Sequence, residues 1–281
     1  MLLTRTRGVA HKRLAVLRDR IAVVTGGGGG IGRALCVALA GAGAGVVAVG
    51  RTGKSLDETL AAARQGGEPG PGMLALTADV GCDEDMQAMA ARTLERFGRI
   101  DILVCCAGVL RASQRGPRPI TDVAADEWRA VLRANLRGTY LANRAVLPAM
   151  LLRREGEIIN LSSTSGLRGY AYDAAYCASK FAILGLTESL AEETRAHGVR
   201  VQVVLPGPVA TRIWEQNLPV PPSEKTLPVE RVVDLVLYLL TLPKDAALRL
   251  PAIVPFRRER RPAWRAPGPG PSAGGREGGG A

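Results

Sequence analysis

Seven short apolar runs recur along the chain, each followed by a stretch whose apolar residues fall at helical spacing, and this alternation constrains the fold more than any other feature. The runs lie at 21–25, 46–50, 73–77, 100–105, 157–161, 199–205 and 250–254, and the helical stretches at 31–42, 54–65, 83–97, 122–152, 174–197 and 229–241. Strands that are apolar along their whole length must be covered on both faces, and a helix between successive strands is the crossover that parallel pairing requires. The pattern predicts an α/β fold: a doubly wound parallel sheet of about seven strands with helices on both faces.

A chain of 281 residues, 47% apolar and 22% charged, is large enough to bury one sizeable core. No apolar run is long enough to span a bilayer, so no membrane segment is expected. The net charge of +11 is concentrated in the two ends rather than on a folded face. No aromatic-plus-basic pattern accompanies it, so no specific nucleic-acid partner is expected. The boundaries read as a basic N-terminal tail over 1–17, a single domain over 18–256, and an Arg/Pro/Gly-rich tail over 257–281 that cannot bury a core and is expected to be disordered. Residues 1–20 lack the apolar centre of a secretory signal; a solvated basic tail or a transit peptide both suit their composition. Five cysteines without a Cys-x-x-Cys pair, and two widely separated histidines, suggest reduced thiols, no metal site and a cytoplasmic setting.

The first apolar run leads into five consecutive glycines, Gly26 to Gly30, with Gly32 close behind. A glycine-rich turn between a strand and a helix is the Rossmann-type context for dinucleotide binding: the backbone turns sharply, approaches a pyrophosphate, and meets its charge with helix N-terminal amides. The spacing Thr25-Gly26-x-x-x-Gly30-Ile31-Gly32 carries this reading, while Gly27 to Gly29 read as filler. An acid at the end of the second strand would accept the ribose hydroxyl of NAD. Here Gly50 takes that place and Arg51 follows, with Lys54 nearby. A guanidinium suits a phosphate dianion, so NADP(H) is expected in preference to NAD(H).

A second constellation lies far along the chain. Tyr176 and Lys180 are four residues apart on one helical face. A phenol titrates near 10 and is a poor proton carrier at neutral pH unless a cation favours its phenolate. Ser163, just after the fifth strand, is placed to hold a carbonyl oxygen.

Together these pieces resemble the short-chain dehydrogenase/reductase family in its single-domain, NAD(P)-dependent branch. The likeness runs from about Arg18 to Pro255 and includes the glycine loop, Asp79-Val80, Ala107-Gly108, Asn135, Ser163, Tyr176-x-x-x-Lys180 and the Pro206–Thr211 segment. The resemblance implies an enzyme passing a hydride between nicotinamide and a small-molecule carbonyl or secondary alcohol. It implies that Tyr176 is the general acid or base, that Ser163 polarises the carbonyl, and that Lys180 lowers the Tyr176 pKa and bonds the nicotinamide ribose. Asn135 would hold a relay water and Asp79 would contact the adenine. The cofactor would be bound by Gly26, Gly30, Ile31, Gly32, Arg51, Asp79, Val80, Ala107, Gly108, Tyr176, Lys180, Pro206, Gly207, Val209 and Thr211. It also implies a homodimer or homotetramer built on the helices around 122–152 and 174–197.

The sequence departs from that pattern in two places. Cys105-Cys106 stands where the family usually has two asparagines, and both a reactive thiol pair and simple packing fit the residues. Between Thr211 and Val229, where a substrate lid would lie, the chain is short and Pro-rich, with Trp214 and Leu218 as candidate lining residues. The alternative to an enzyme is a non-catalytic nucleotide-binding or scaffolding member of the same fold.

Overall fold

The computed structural model describes residues 17–65, 70–113, 115–219 and 225–256. Its centre is a seven-stranded sheet: β1 (Ile21–Thr25), β2 (Gly45–Gly50), β3 (Met73–Thr77), β4 (Ile102–Cys105), β5 (Gly156–Leu161), β6 (Val199–Pro206) and β7 (Ala252–Ile253). All pairings are parallel, in the order β3-β2-β1-β4-β5-β6-β7. The helices are α1 (Gly30–Gly41), α2 (Gly53–Arg64), α3 (Asp83–Phe97), α4 (Ala125–Leu132), α5 (Gly138–Arg153), α6 (Ala174–Arg195) and α7 (Val229–Leu240).

Period-two alternation along the strands sorts their side chains into two layers. Ala22 and Val24 of β1, with Val46 and Ala48 of β2, pack beneath Leu35 and Leu39 of α1 and Val232, Val236 and Leu239 of α7. Val23, Val47 and Val49 face the other way, against Met86 and Met89 of α3 and Leu141, Val146 and Met150 of α5. Because both layers are apolar, β1, β2 and β4 are buried throughout except for Gly50.

Three expectations are corrected. Leu17, placed with the basic tail, is 1% exposed and belongs to the core; the rest of that tail and all of 257–281 lie outside the described residues. The continuous helix expected over 122–152 is divided into a 3-10 turn at Ile120–Asp122, α4, a π-helical turn at Arg133–Arg137, and α5. The π turn brings Asn135 inward, and its side-chain bonds to the β4 exit explain why regular spacing is given up there. The last strand shrinks from five residues to two, since it pairs on one side only, with β6.

Candidate active site

Sheet order reverses at β1, which lies between β2 and β4, and the crevice outside the carboxyl ends of these strands is where such a fold takes its ligand. The glycine loop fills the first of those ends. Gly26 sits at φ +70°, and a Cβ there would lie 2.8 Å from the Ala107 backbone nitrogen. At Gly32 the added carbon would lie 2.2 Å from the Gly26 carbonyl oxygen, so the loop closes onto its own helix only with glycine at that position. Gly27 is not filler: it is buried, and a side chain would meet Ala48 and Cys36 Sγ at 3.1 and 3.2 Å. Gly30 opens α1 against the Thr211 side chain. No side chain caps α1 and no acid occupies its first turn, which leaves its amides and its positive dipole end for an anion.

Two residues that spacing did not reveal hold the loop in place. Arg33 donates to the Gly28 carbonyl at 2.7 Å, to the Ser55 carbonyl at 3.1 Å and to Glu58 at 2.8 Å. Thr59, fully buried, donates to the Gly27 carbonyl at 2.8 Å. They tie the loop to the start of α2, beside the exit of β2.

Arg51 is exposed at that exit and makes no ion pair among the described residues; its charge acts on Asp79 across the gap to the end of β3. Asp79 itself is engaged: Oδ1 accepts the Gly81 N–H at 2.9 Å and Oδ2 pairs with Arg133 at 2.7 Å. Partial burial opposes ionisation, but these partners and Arg51 hold the carboxyl below its usual range. Val80 is buried against the start of α5 and stays out of the crevice.

The other end of the crevice is a cleft of about 950 Å³. Ile31, Gly108, Ser163, Tyr176, Lys180, Pro206, Gly207, Val209 and Thr211 all line it. Arg51, Asp79, Val80 and Ala107 do not; the Ala107 amide instead donates to the Thr25 hydroxyl at 3.3 Å. Ser163 lies two residues beyond β5, and its hydroxyl accepts the Ser165 N–H at 3.1 Å while also bonding the Tyr176 phenol. Burial is the largest influence on that phenol and lifts it to about 12. The Lys180 ammonium lies 5.6 Å from the ring centroid and donates to the Leu161 carbonyl at 2.9 Å. It is 6% exposed with no carboxylate beside it, and burial brings its pKa down to about 8.

Asn135 is fully buried, with both ends of its side-chain amide bonded. Its Oδ1 accepts the Val109 N–H at 2.7 Å, and its Nδ2 donates to the Val109 carbonyl at 2.9 Å and to Ser179 Oγ at 3.0 Å. Ser179 in turn donates to the Tyr176 carbonyl at 2.7 Å. Through this side chain Asn135 joins the β4 exit to α6.

Arg111 is a further node with no signal in spacing. It donates to the Tyr172 carbonyl at 2.7 Å and to Asn217 Oδ1 at 3.0 Å, and it pairs with Asp173 at the head of α6. Tyr172 is left-handed at φ +68°, a conformation costly for a bulky residue, and the Arg111 bond is among the contacts that hold it. Gln216 accepts from the Leu110 and Arg111 amides at 2.8 and 3.1 Å. Trp214 lines the cleft and bonds the Val209 carbonyl at 2.8 Å, whereas Leu218 is absent from the lining and exposed.

Burial separates the two cysteines. Cys105 is buried and its thiol is pushed up to about 12, which fits packing; Cys106 is half-buried and lines the cleft, with desolvation raising its thiol well above the ordinary range. Asn143 Nδ2 bonds Cys105 Sγ at 3.5 Å and Asn160 Oδ1 at 2.9 Å, a buried polar link between α5, β4 and β5.

Comparison with known proteins agrees with this architecture. Residues 20–219 match the short chain dehydrogenase family. The chain belongs to the short-chain dehydrogenase/reductases. It is 34% identical over 231 residues to a 2-(R)-hydroxypropyl-CoM dehydrogenase of Xanthobacter autotrophicus, covering 79% of this chain and 91% of the relative. The crystal structure of levodione reductase superposes with a TM-score of 0.78 at 29% identity, covering 84% of this chain and 96% of that one. A variant of actinorhodin polyketide ketoreductase with NADPH gives 0.74 at 29% identity, covering 84% and 95%. The protein is thus an oxidoreductase of the alcohol/carbonyl type. No helix among the described residues is long and apolar enough to cross a membrane.

Proposed function

We propose that the protein is an NADP(H)-dependent reductase of carbonyl compounds, with Tyr176 as its proton donor. The observation that carries this is the meeting of the Ser163 hydroxyl with the Tyr176 phenol in a cleft backed by the buried Lys180. The cofactor fits the residues present: at Gly26 and Gly32 the loop leaves no room for side chains, and the uncapped α1 end offers amides to a pyrophosphate. Gly30, Ile31, Gly108, Pro206, Gly207, Val209 and Thr211 would line its path, with Ala107 and Asp79 toward the adenine and Arg51 at the 2′-phosphate, while Val80 faces α5. The nicotinamide, when bound, supplies or accepts the hydride.

Ser163 holds the substrate carbonyl oxygen, and the Tyr176 phenol delivers its proton to that same atom during reduction, or removes it in the reverse direction. Lys180 places positive charge behind the phenol, countering the burial that raises it, and would bond the nicotinamide ribose. Asn135 fixes the α6 backbone at Tyr176 through Ser179 and connects Lys180 to solvent through a bound water. The NADPH named with a solved relative supports the cofactor choice. The reading extends to one NAD(P)-binding unit over 18–256, to a homodimer or homotetramer, and to a cytoplasmic setting.

Titration of the full chain with NADPH and with NADH tests the proposal before any substrate is known. NADPH should bind more tightly, and Arg51→Asp should reduce that preference by about ten- to a hundredfold, the worth of charge-assisted bonds to a phosphate. An unchanged preference in the variant would remove Arg51 from the site.

A further inference from the structure

Beyond the Ser163 and Tyr176 hydroxyls the cleft opens onto a rim that includes Leu167, Arg168, Tyr170, Ile213, Trp214 and Lys225. Charge on this wall is one-sided. Asp173 is the only acid that lines it among the described residues; it is joined to Arg111, and burial moves its carboxyl toward the neutral form. Other arginines around the opening are also engaged: Arg212 pairs with Glu215, and Arg118 with Glu127. Arg168 differs from them. Its Nε donates to the Tyr170 phenol oxygen at 2.8 Å and its guanidinium lies 4.8 Å from that ring's centroid, but no carboxylate meets it among the described residues.

The aromatic contact orients the guanidinium, and its two terminal nitrogens meet no acceptor among the described residues. Such a fork matches the two oxygens of an oxyanion, and an oriented fork loses less freedom on pairing than a loose one. The surrounding wall offers apolar surface at Leu167, Ile213 and Trp214 for the carbon part of such a ligand. Arg168 is exposed, so the core makes no demand for it.

We propose that this rim is an anion subsite and that the substrates are carbonyl compounds bearing a carboxylate or another oxyanion, paired by Arg168 with Lys225 adding positive charge. The substrate class rests on the reductase reading above; the anion subsite does not.

The test uses one matched pair of probes, 4-oxopentanoate and its methyl ester, titrated into the full chain with and without NADP⁺, and then offered with NADPH for turnover. The carboxylate should bind about tenfold more tightly than the ester, with the difference shrinking as salt is raised. Arg168→Met should abolish the difference by weakening carboxylate binding alone, and Lys225→Met should reduce it in part. Equal affinity for the two probes, failure of both to bind, or a preference that survives Arg168→Met would each overturn the subsite. Reduction of both probes at equal kcat/KM, without a binding preference, would leave the reductase reading standing and remove the subsite. A carboxylate preference without any reduction would do the reverse.

Discussion

The two ends of the sheet each bury a charge, and they treat it in opposite ways. Near the amino ends of the strands, Asp101 is fully buried, accepts the Ile21 N–H at 2.8 Å, and is paired with Arg99 and Arg153. Desolvation alone would raise its carboxyl, yet Arg99, the Ile21 amide and Arg153 together hold it below the usual range. At the carboxyl ends, Lys180 is almost as buried but has only the Leu161 carbonyl as a hydrogen-bond partner among the described residues, and its pKa falls to about 8. A buried charge with every partner supplied joins elements of the scaffold; one left without a counter-ion is held ready to change its charge or to meet one from outside.

The largest effect is expected at the reactive end. Tyr176→Phe should lower turnover by about 10²–10⁴-fold while NADPH affinity, read by titration, stays near that of the parent protein. A variant that kept its rate would erase the functional half of the contrast.

At the opposite end, Asp101→Ala removes the carboxylate and leaves Arg99, Arg153 and the Ile21 amide without it. Denaturant unfolding should show a loss of about 3–5 kcal/mol, while kcat/KM of the protein that remains folded is unchanged. Asp101→Asn keeps the size and one acceptor and should lose less. A catalytic change without a stability change would break the comparison from that side.

Lys180→Met should abolish activity and yet alter stability in a pH-dependent way. The folded state prefers neutral lysine, with a pKa near 8 against 10.5 for the free side chain. The unfolded chain therefore binds more protons between those values, and the parent protein gains stability as pH rises through that window and loses it as pH falls toward 8. Relative to the parent, the variant should be more stable below pH 8 by up to roughly 3 kcal/mol, an advantage that fades as the pH approaches 10.5. Unfolding midpoints collected across that range decide the matter; a flat difference would mean that Lys180 is not desolvated.

The strands were legible because they carry their burial in their composition: 21–25 and 73–77 coincide with the observed β1 and β3, and most other inner boundaries shift by only a residue or two. Their connection into one crevice was legible from Gly26, Gly30 and Gly32, whose backbone geometry excludes side chains. What could not be read were contacts that join distant segments through ordinary residue types. Arg111 meets Asn217 across 106 positions, in a chain rich in arginine, and nothing at either position marks the pairing. The break at Asn135 was hidden for a related reason, since α4 and α5 both keep helical spacing and only a tertiary bond calls for the extra residue between them. The direction of the Tyr176 shift was hidden too: spacing locates the lysine, but only packing shows that desolvation outweighs the favourable contacts of the phenol.

The Arg111 node bears on how this molecule can change over time. One guanidinium grips both Asn217, on the segment that borders the cleft, and the left-handed turn just ahead of Tyr176. Selection for a new substrate would ordinarily act on border segments and leave the chemical machinery alone. Here a substitution that shifts 212–217 also pulls on the residue that anchors the head of α6, which carries Tyr176, so on the proposed reading a change of specificity at this border would also reach the rate. Productive variants of that border should arise first at side chains Arg111 does not hold, such as Ile213 and Trp214.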